Sequence, residues 1–389
     1  MKAFVVNAEW CPQADYVISK TEAELRRANI GSSVWKNPVF EMLDLPVPII
    51  DDDELLIRVK RCGVCGSDTH VYETAPDGHI IFSGPVKMPC VLGHEYAGVV
   101  EQVGSKVKNF KVGDYVAAES VVWCGKCQPC RSGAFNQCDN VELTGITVDG
   151  ALAEFIGVNE RQCWKINDLV QRYNEDELFD IGALIEPLGC AYNGLFISAS
   201  GFKPGGVVVV YGAGPIGLGA VVLAKTAGAA QVIAFDPIAE RLAIAKSMGA
   251  DYTYNINTLS DSDLRPHKIV LEKTGGKGAE IQVEAAGAAQ ATIPEMEKSL
   301  AVNGKIVYLG RAATSTPLML DVLVSGANAV IGARGHCGYG IYPNIIKLLT
   351  SGRIQVSDMI TSTYPFTEVF EALKKSVDRK DGKIIIQIS

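Results

Sequence analysis

The chain has 389 residues, long for one hydrophobic core and suited to two domains. Its 48% hydrophobic and 21% charged content is that of a folded globular protein, and a net charge of −8 without a basic run excludes a nucleic-acid surface. The first apolar run stops at Ala3–Val6, no stretch approaches the roughly eighteen apolar residues of a membrane span, and 11 cysteines in so large a chain suggest metal rather than disulfides. A cytoplasmic protein without a membrane partner is expected.

In chain order, Lys2–Val6 reads as a strand, and Glu9–Lys36 as a mixed stretch with a short helix at Glu22–Arg27. Leu43–Ile50 is punctuated by proline, and Glu54–Lys60 (ELLIRVK) alternates as a half-buried strand does. Next comes Cys62–His70, CGVCGSDTH, which places a thiol, a hydroxyl, a carboxylate and an imidazole at Cys65, Ser67, Asp68 and His70. GHE follows at Gly93–Glu95. Together the two pieces offer soft sulfur, nitrogen and oxygen donors, the mixture that a borderline-soft Zn²⁺ accepts. We read them as a catalytic zinc site.

Short β runs such as Tyr96–Val103, Asp114–Ala118 and Gly150–Ile156 suggest an all-β lobe punctuated by turns. Within it, Cys124, Cys127, Cys130 and Cys138 form C-x2-C-x2-C-x7-C. Four thiolates this close can surround one Zn²⁺ with no open position, a structural site; an iron–sulfur cluster is the competing reading. Further on, Glu186 lies in ALIEPLGC before a helix. It reads either as a first-turn carboxylate favoured by the helix dipole or as a metal-bound one.

From Gly206 the pattern changes to alternating strands and helices. Val207–Tyr211 is a buried strand, Gly212-Ala213-Gly214-Pro215-Ile216-Gly217 a glycine-rich turn, Leu218–Ala229 a helix, and Gln231–Phe235 a second strand ending at Asp236. Gly212 permits the turn, Gly214 lets the backbone approach a pyrophosphate, and Gly217 lets the helix pack closely. Asp236 would bind the adenosine ribose and repel a 2′-phosphate, which favours NAD over NADP. Arg241, five residues on, is assigned to the adenine or to a solvated helix face. Further units at Ile281–Gly287 and Gly304–Gly310 extend a parallel sheet. His336, among glycines, reads as either a ligand contact or a turn residue. A helix at Tyr342–Ser351 and a strand at Lys383–Ile388 close the chain, the strand returning to the first lobe.

These motifs, in this order, resemble the zinc-containing medium-chain alcohol and polyol dehydrogenases over nearly the whole chain. Glu186, not a cysteine, stands where the third protein ligand of alcohol dehydrogenases comes, which resembles the sorbitol dehydrogenase-like branch. The long entry Glu9–Pro48 and GHCGYGIYP at Gly335–Pro343 resemble a smaller group in that branch that includes scyllo-inosose 3-dehydrogenase. The resemblance implies an α/β architecture: a β-rich GroES-like catalytic domain, 1–190 and 337–389, plus a doubly wound parallel Rossmann domain, 191–336, with the chemistry in the cleft between them. It implies two zincs per chain: one catalytic, on Cys65 and His94 with Glu95 and Glu186 binding directly or through water, and one structural at Cys124, Cys127, Cys130 and Cys138. Ser67 would take the alcohol proton and His70 relay it through the cofactor ribose, while Ile216, Asp236 and Arg241 match NAD contacts. A polyol or keto-polyol substrate and a homo-oligomer, dimer or tetramer, are also implied. An aromatic expected directly after the relay histidine is Val71 here, with Tyr72 next.

Overall fold

The computed structural model describes residues 1–259, 264–311 and 315–389. It comprises two compact units, one of Met1–Glu186, Ser362–Asp378 and Lys383–Ser389, the other of Pro187–Thr361 and Arg379–Gly382.

In the first unit, strand Glu54–Val64 pairs antiparallel with Glu95–Val103 on one edge and with both Phe155–Asn159 and Lys383–Gln387 elsewhere along its length. The sheet continues through Tyr115–Ala118 to Cys163–Lys165. Leu55, Ile57 and Val59 are fully buried while Arg58 between them is exposed, the alternation expected of Glu54–Lys60, with Leu56 (2% exposed) the one departure. Residues 150–154 form no regular strand. They bond instead to two neighbours at once: Leu152 N–H donates to the Leu92 carbonyl, and Phe4 N–H donates to the Leu152 carbonyl. The C-terminal strand does return to this unit, in register with Arg61–Val64.

The N-terminal strand, Lys2–Trp10, forms an antiparallel pair with Trp35–Asp44. The segment between them is built on one carboxylate. Helix Lys20–Leu25 begins at Ser19, whose side chain caps Glu22 N–H while Glu22 reaches back to Ser19 N–H, a reciprocal capping box. It ends at Arg26 in the left-handed region (φ 50°), two residues earlier at each end than its apolar pattern suggests. Glu22 also accepts from the Tyr16 hydroxyl (2.6 Å) and Asn29 N–H (2.8 Å). Burial pushes the Glu22 carboxyl up, but these donors outweigh it and bring it down to about 2. Its stabilisation is therefore present above the ordinary carboxyl value and is lost as pH falls toward about 2. Hydrogen bonds to a charged group contribute about 1.5–3 kcal/mol each. Glu22→Ala should thus raise tryptic cleavage at Arg26 and Arg27 by about tenfold or more at neutral pH, read by limited proteolysis.

The second unit is a six-stranded parallel sheet ordered Tyr252–Asn255, Gln231–Asp236, Val207–Tyr211, Ala279–Glu284, Leu300–Tyr308, Ala329–Gly332. The order reverses beside the first strand, Val207–Tyr211, which makes its C-terminal end the topological switch point of a doubly wound fold. Val208, Val209 and Val210 are fully buried, as a central parallel strand requires. Residues 337–361, grouped with the first lobe in the sequence reading, cluster with this unit. Helix Ile341–Thr350 buries Ile341, Ile345 and Leu349, and a Cβ at Gly189 would press on both His336 and Ile341.

Helical residues Glu175–Ser198 are long and apolar enough to cross a membrane by length and composition, against the expectation from the sequence. Most of that window, 72%, is buried inside the protein, as in a core helix.

Candidate functional site

Cys65 sits at the N-cap of helix Gly66–Tyr72, with extended backbone (φ −90°, ψ 156°). Asp68, three residues on, is fully buried and accepts the Cys65 N–H at 2.9 Å. This contact fixes the angle at which strand becomes helix, and so aims the thiol. Gly93 makes the second approach possible. Its φ of +88° is a left-handed conformation, and its backbone is packed so tightly by Gly145 and Gly150 that a Cβ on either would collide with it. Beyond that turn His94 and Glu95, 7% and 1% exposed, enter strand Glu95–Val103.

One donor atom each from Cys65, His94 and Glu95 lies within 4.8 Å of the others. Ser67 Oγ is 3.3 Å from His94 Nε2. His94 Nδ1 is buried without a hydrogen-bond partner and faces the equally unpartnered Asp68 Oδ1 at 3.9 Å. At 3.9 Å the pair is too long for the hydrogen bond by which a carboxylate orients a metal-ligating histidine, but the carboxylate stands on the correct side of the ring for it. Asp68 therefore has two parts: helix cap and neighbour of His94. Burial would push the His94 imidazole down, yet Cys65, Asp68 and Glu186 hold it well up. The pocket is built to surround a cation. Sulfur, nitrogen and oxygen donors converging this closely fit Zn²⁺.

Glu186, 7% exposed, lies outside this three-atom cluster. It accepts from Ser120 Oγ at 2.9 Å, and its charge is felt at His94, Glu95 and Lys383. Lys383 is the residue that sequence reasoning missed. It is 2% exposed, its ammonium donates to Glu95 Oε2 and to the Val64 carbonyl (3.0 Å), and it arrives from 288 residues away. Burial alone would lower this ammonium; Glu95, Cys65 and Glu186 outweigh it and hold Lys383 above its ordinary value. A Cβ at Gly63 would collide with the Glu95 carboxylate, so that glycine makes room for the pair.

Ser67 and His70 are half-buried and three residues apart on one helix, so they face the same side. Val71 points into the core (1% exposed), while Tyr72 joins an aromatic cluster with Phe40 and Phe370, 5.6 and 5.9 Å away. These rings line an open groove of about 660 Å³ with Asn37 and Glu73, to which none of the metal-cluster residues contributes.

The four cysteines form a second cluster, all within 4.8 Å of one another. Sulfurs about 2.3 Å from a tetrahedral ion stand about 3.8 Å apart, and Cys127 and Cys138 are 3.8 Å apart. One ion fits this spacing; a multi-iron cluster, whose thiolates bind different irons, needs more room. Backbone N–H groups of Lys126 and Cys127 bring the Cys124 thiol down to about 6, whereas burial pushes Cys130 up to about 12.

In the second unit, Gly212 (φ +94°) would bring a Cβ to 2.7 Å from Ala286 Cα, and a Cβ on Gly217 would collide with the Gly212 carbonyl. Gly214 is the N-cap of helix Pro215–Thr226 and has extended backbone, so its absent side chain serves access rather than conformation. Asp236, 4% exposed, accepts from Ala213 N–H and Ile238 N–H, both at 2.7 Å, and so ties the turn to the second strand. Arg241 lies on neither a solvated face nor a bare helix. Its Nε donates to the Asp381 carbonyl at 3.0 Å, and a Cβ on Gly214 would lie 3.6 Å from its guanidinium. Ile216 is half-buried in the first helical turn, and His336 is buried with its ring 5.4 Å from Tyr342, not in an open turn.

Residues 51–168 match the alcohol dehydrogenase GroES-like domain, and residues 215–351 match the zinc-binding dehydrogenase domain. A scyllo-inosose 3-dehydrogenase of Thermotoga maritima is 35% identical over 96% of both chains. The chain belongs to the zinc-containing medium-chain dehydrogenases. A solved Thermotoga maritima chain described as an alcohol dehydrogenase superposes on this dehydrogenase with a TM-score of 0.94 and 34% identity, covering 100% of each. Another solved structure, a zinc-binding dehydrogenase of Sinorhizobium meliloti 1021 bound to NADP, has a TM-score of 0.78 and 26% identity, covering 93% of this chain and 99% of that one. The dehydrogenase is thus an oxidoreductase that uses zinc and a nicotinamide cofactor.

Proposed function

We propose that this dehydrogenase oxidises a secondary alcohol of a polyol, a cyclic keto-polyol such as an inosose foremost, with NAD. The observation that carries the reading is the convergence of Cys65, His94 and Glu95 beside Ser67, in a chain alignable with an inosose dehydrogenase over 96% of its length. Cys65, His94 and Glu95 would hold the catalytic zinc, with Glu186 close by, and the four-cysteine cluster would hold a structural one. When bound, zinc supplies Lewis-acid polarisation of a substrate oxygen, and the nicotinamide supplies a hydride acceptor. Ser67 accepts the hydroxyl proton, and His70, one turn along, carries it away. Asp68 holds His94 in orientation, and Lys383, donating to Glu95, opposes the rise that burial imposes on its carboxyl. Gly212, Gly214, Ile216 and Gly217 receive the dinucleotide; Asp236 disfavours a 2′-phosphate, and Arg241 lies where it can flank the adenosine.

Leu320 and Val324 on helix Leu320–Gly326 and Val330 on edge strand Ala329–Gly332 are 68%, 81% and 40% exposed, which supports a homo-oligomer. A cytoplasmic location is in keeping with this reading.

The test is NADH formation by zinc-loaded protein with scyllo-inosose, myo-inositol, sorbitol, xylitol and threonine, each with NAD and NADP. The expected result is turnover of a cyclitol or inosose at least about tenfold better than of the linear compounds, with NAD preferred. Turnover of linear polyols or threonine alone sinks the cyclic reading. NADP preference sinks the role given to Asp236.

A further inference from the structure

Behind the glycine-rich turn of the second unit, a short loop hangs on one buried carboxylate that has no part in the chemistry described above. Taking Gly212–Gly217 as the dinucleotide turn, we propose that Glu284 is a positioning residue for the nicotinamide half of the cofactor. Its carboxylate gathers the Ala286, Gly287 and Ala288 amides and so sets this loop before the cofactor arrives.

Glu284 ends strand Ala279–Glu284, which lies directly beside Val207–Tyr211 in the parallel sheet. The crevice outside the C-terminal ends of these two strands is the switch point, where a doubly wound sheet binds a dinucleotide across its two mononucleotide halves. Asp236 ends a strand of the first half, the adenosine side. Residues 285–288 open the second half, the side left for the nicotinamide mononucleotide. The loop also touches the turn itself. Ala285 N–H donates to the Tyr211 carbonyl at 2.8 Å, and a Cβ on Gly212 would stand 2.7 Å from the Ala286 nitrogen.

The Glu284 side chain is fully buried, a position that requires hydrogen bonds for a carboxylate. Oε1 accepts from Ala286 N–H (3.3 Å), Ala288 N–H (3.2 Å) and the Thr292 hydroxyl (3.3 Å), and Oε2 accepts from Gly287 N–H (3.3 Å). Three successive amides therefore turn toward one group. The backbone of Glu284 is fixed from the other side, where its carbonyl accepts Leu309 and Gly310 N–H, both at 2.9 Å. Two glycines make the arrangement possible. Gly287 has a φ of +67°, and a Cβ on Gly310 would collide with Glu284 Oε2. Without the carboxylate the three amides must find other partners, and the loop loses the conformation that it presents to the turn.

The test follows amide exchange of residues 286–288 in cofactor-free protein, together with NADH and AMP affinity by calorimetry, in wild type, E284Q and G310A. In wild type these amides should exchange at least about tenfold more slowly than an unstructured chain, because the loop is set in advance. Glutamine keeps the shape but turns an NH2 donor toward one of the loop N–H groups, and G310A displaces the carboxylate. Both variants should exchange about tenfold faster in the loop and bind NADH about tenfold more weakly, the scale of one unsatisfied polar group, with AMP affinity within about twofold of wild type. A general loss of stability would weaken both ligands alike. Unchanged NADH affinity in both variants, an equal loss of AMP, or unprotected loop amides in wild type overturns the proposal. The wild-type exchange alone decides it should neither variant fold. Wild type that binds neither NADH nor NADPH would instead refute the cofactor reading of Gly212–Gly217 on which the role of Glu284 rests.

Discussion

Lys383→Met is expected to destabilise the metal-free protein by about 3–5 kcal/mol, the range found when one partner of a buried ion pair is removed. Lys383 and Glu95 have side chains only 1% exposed. Methionine fills much the same volume but leaves the Glu95 carboxylate and the Val64 carbonyl without their donor. The cost is that of an uncompensated buried charge rather than of one lost contact. K383M/E95Q should therefore recover most of the loss in denaturant unfolding, since the amide carries no charge. A double variant as unstable as K383M would show that packing, not charge, dominates. The pH dependence has a definite sign. Because Lys383 is held above its ordinary value, its contribution is complete below that value and is lost as pH rises through the elevated one. With zinc bound, Glu95 gains a second neighbouring cation, and the K383M loss should shrink.

Much of the site is legible in the sequence because it is local. Cys65, Ser67, Asp68 and His70 share one short helix, so spacing alone puts them together; the four cysteines and the Gly212–Gly217 turn are local in the same way. The alternation of strands and helices after Gly206 likewise predicts the parallel sheet that is found. What the sequence does not display are pairings across long separations. Lys383 meets Glu95 across 288 residues and Ser120 meets Glu186 across 66, and neither Lys383 nor Ser120 lies in a motif. A lysine opening an otherwise apolar strand, KIIIQ, was the available signal for the first; for Ser120 there was none. Residues 150–154 look like a strand because they are apolar, but Gly145 and Gly150 are there to pack on Gly93, and the chain bends to suit that contact.

Cys127→Ser should remove one zinc per chain and unfold the segment from Trp123 to Asn140, a larger local effect than any other single change proposed. That segment has little to hold it otherwise. Its regular structure is a four-residue helix, Gln128–Arg131, and a single 3-10 turn, Phe135–Gln137, and its main side-chain packing is Trp123 against Phe135 at 4.3 Å. A structural zinc can contribute on the order of 10 kcal/mol, so its loss leaves the loop without a stable alternative. The thiols also predict how the metal depends on pH. Two backbone N–H groups lower Cys124 to about 6, which favours the thiolate that a metal needs. Cys130, raised to about 12 by burial, must give up its proton to bind. Metal binding thus releases protons, and affinity should fall as pH is lowered. The measurements are zinc content per chain and hydrogen exchange of residues 123–140. In C127S, zinc should drop from two to one and exchange in the segment should rise to the unprotected rate, with protection of strand Val207–Tyr211 kept. Two zincs retained in C127S would remove the four-cysteine cluster as a metal site.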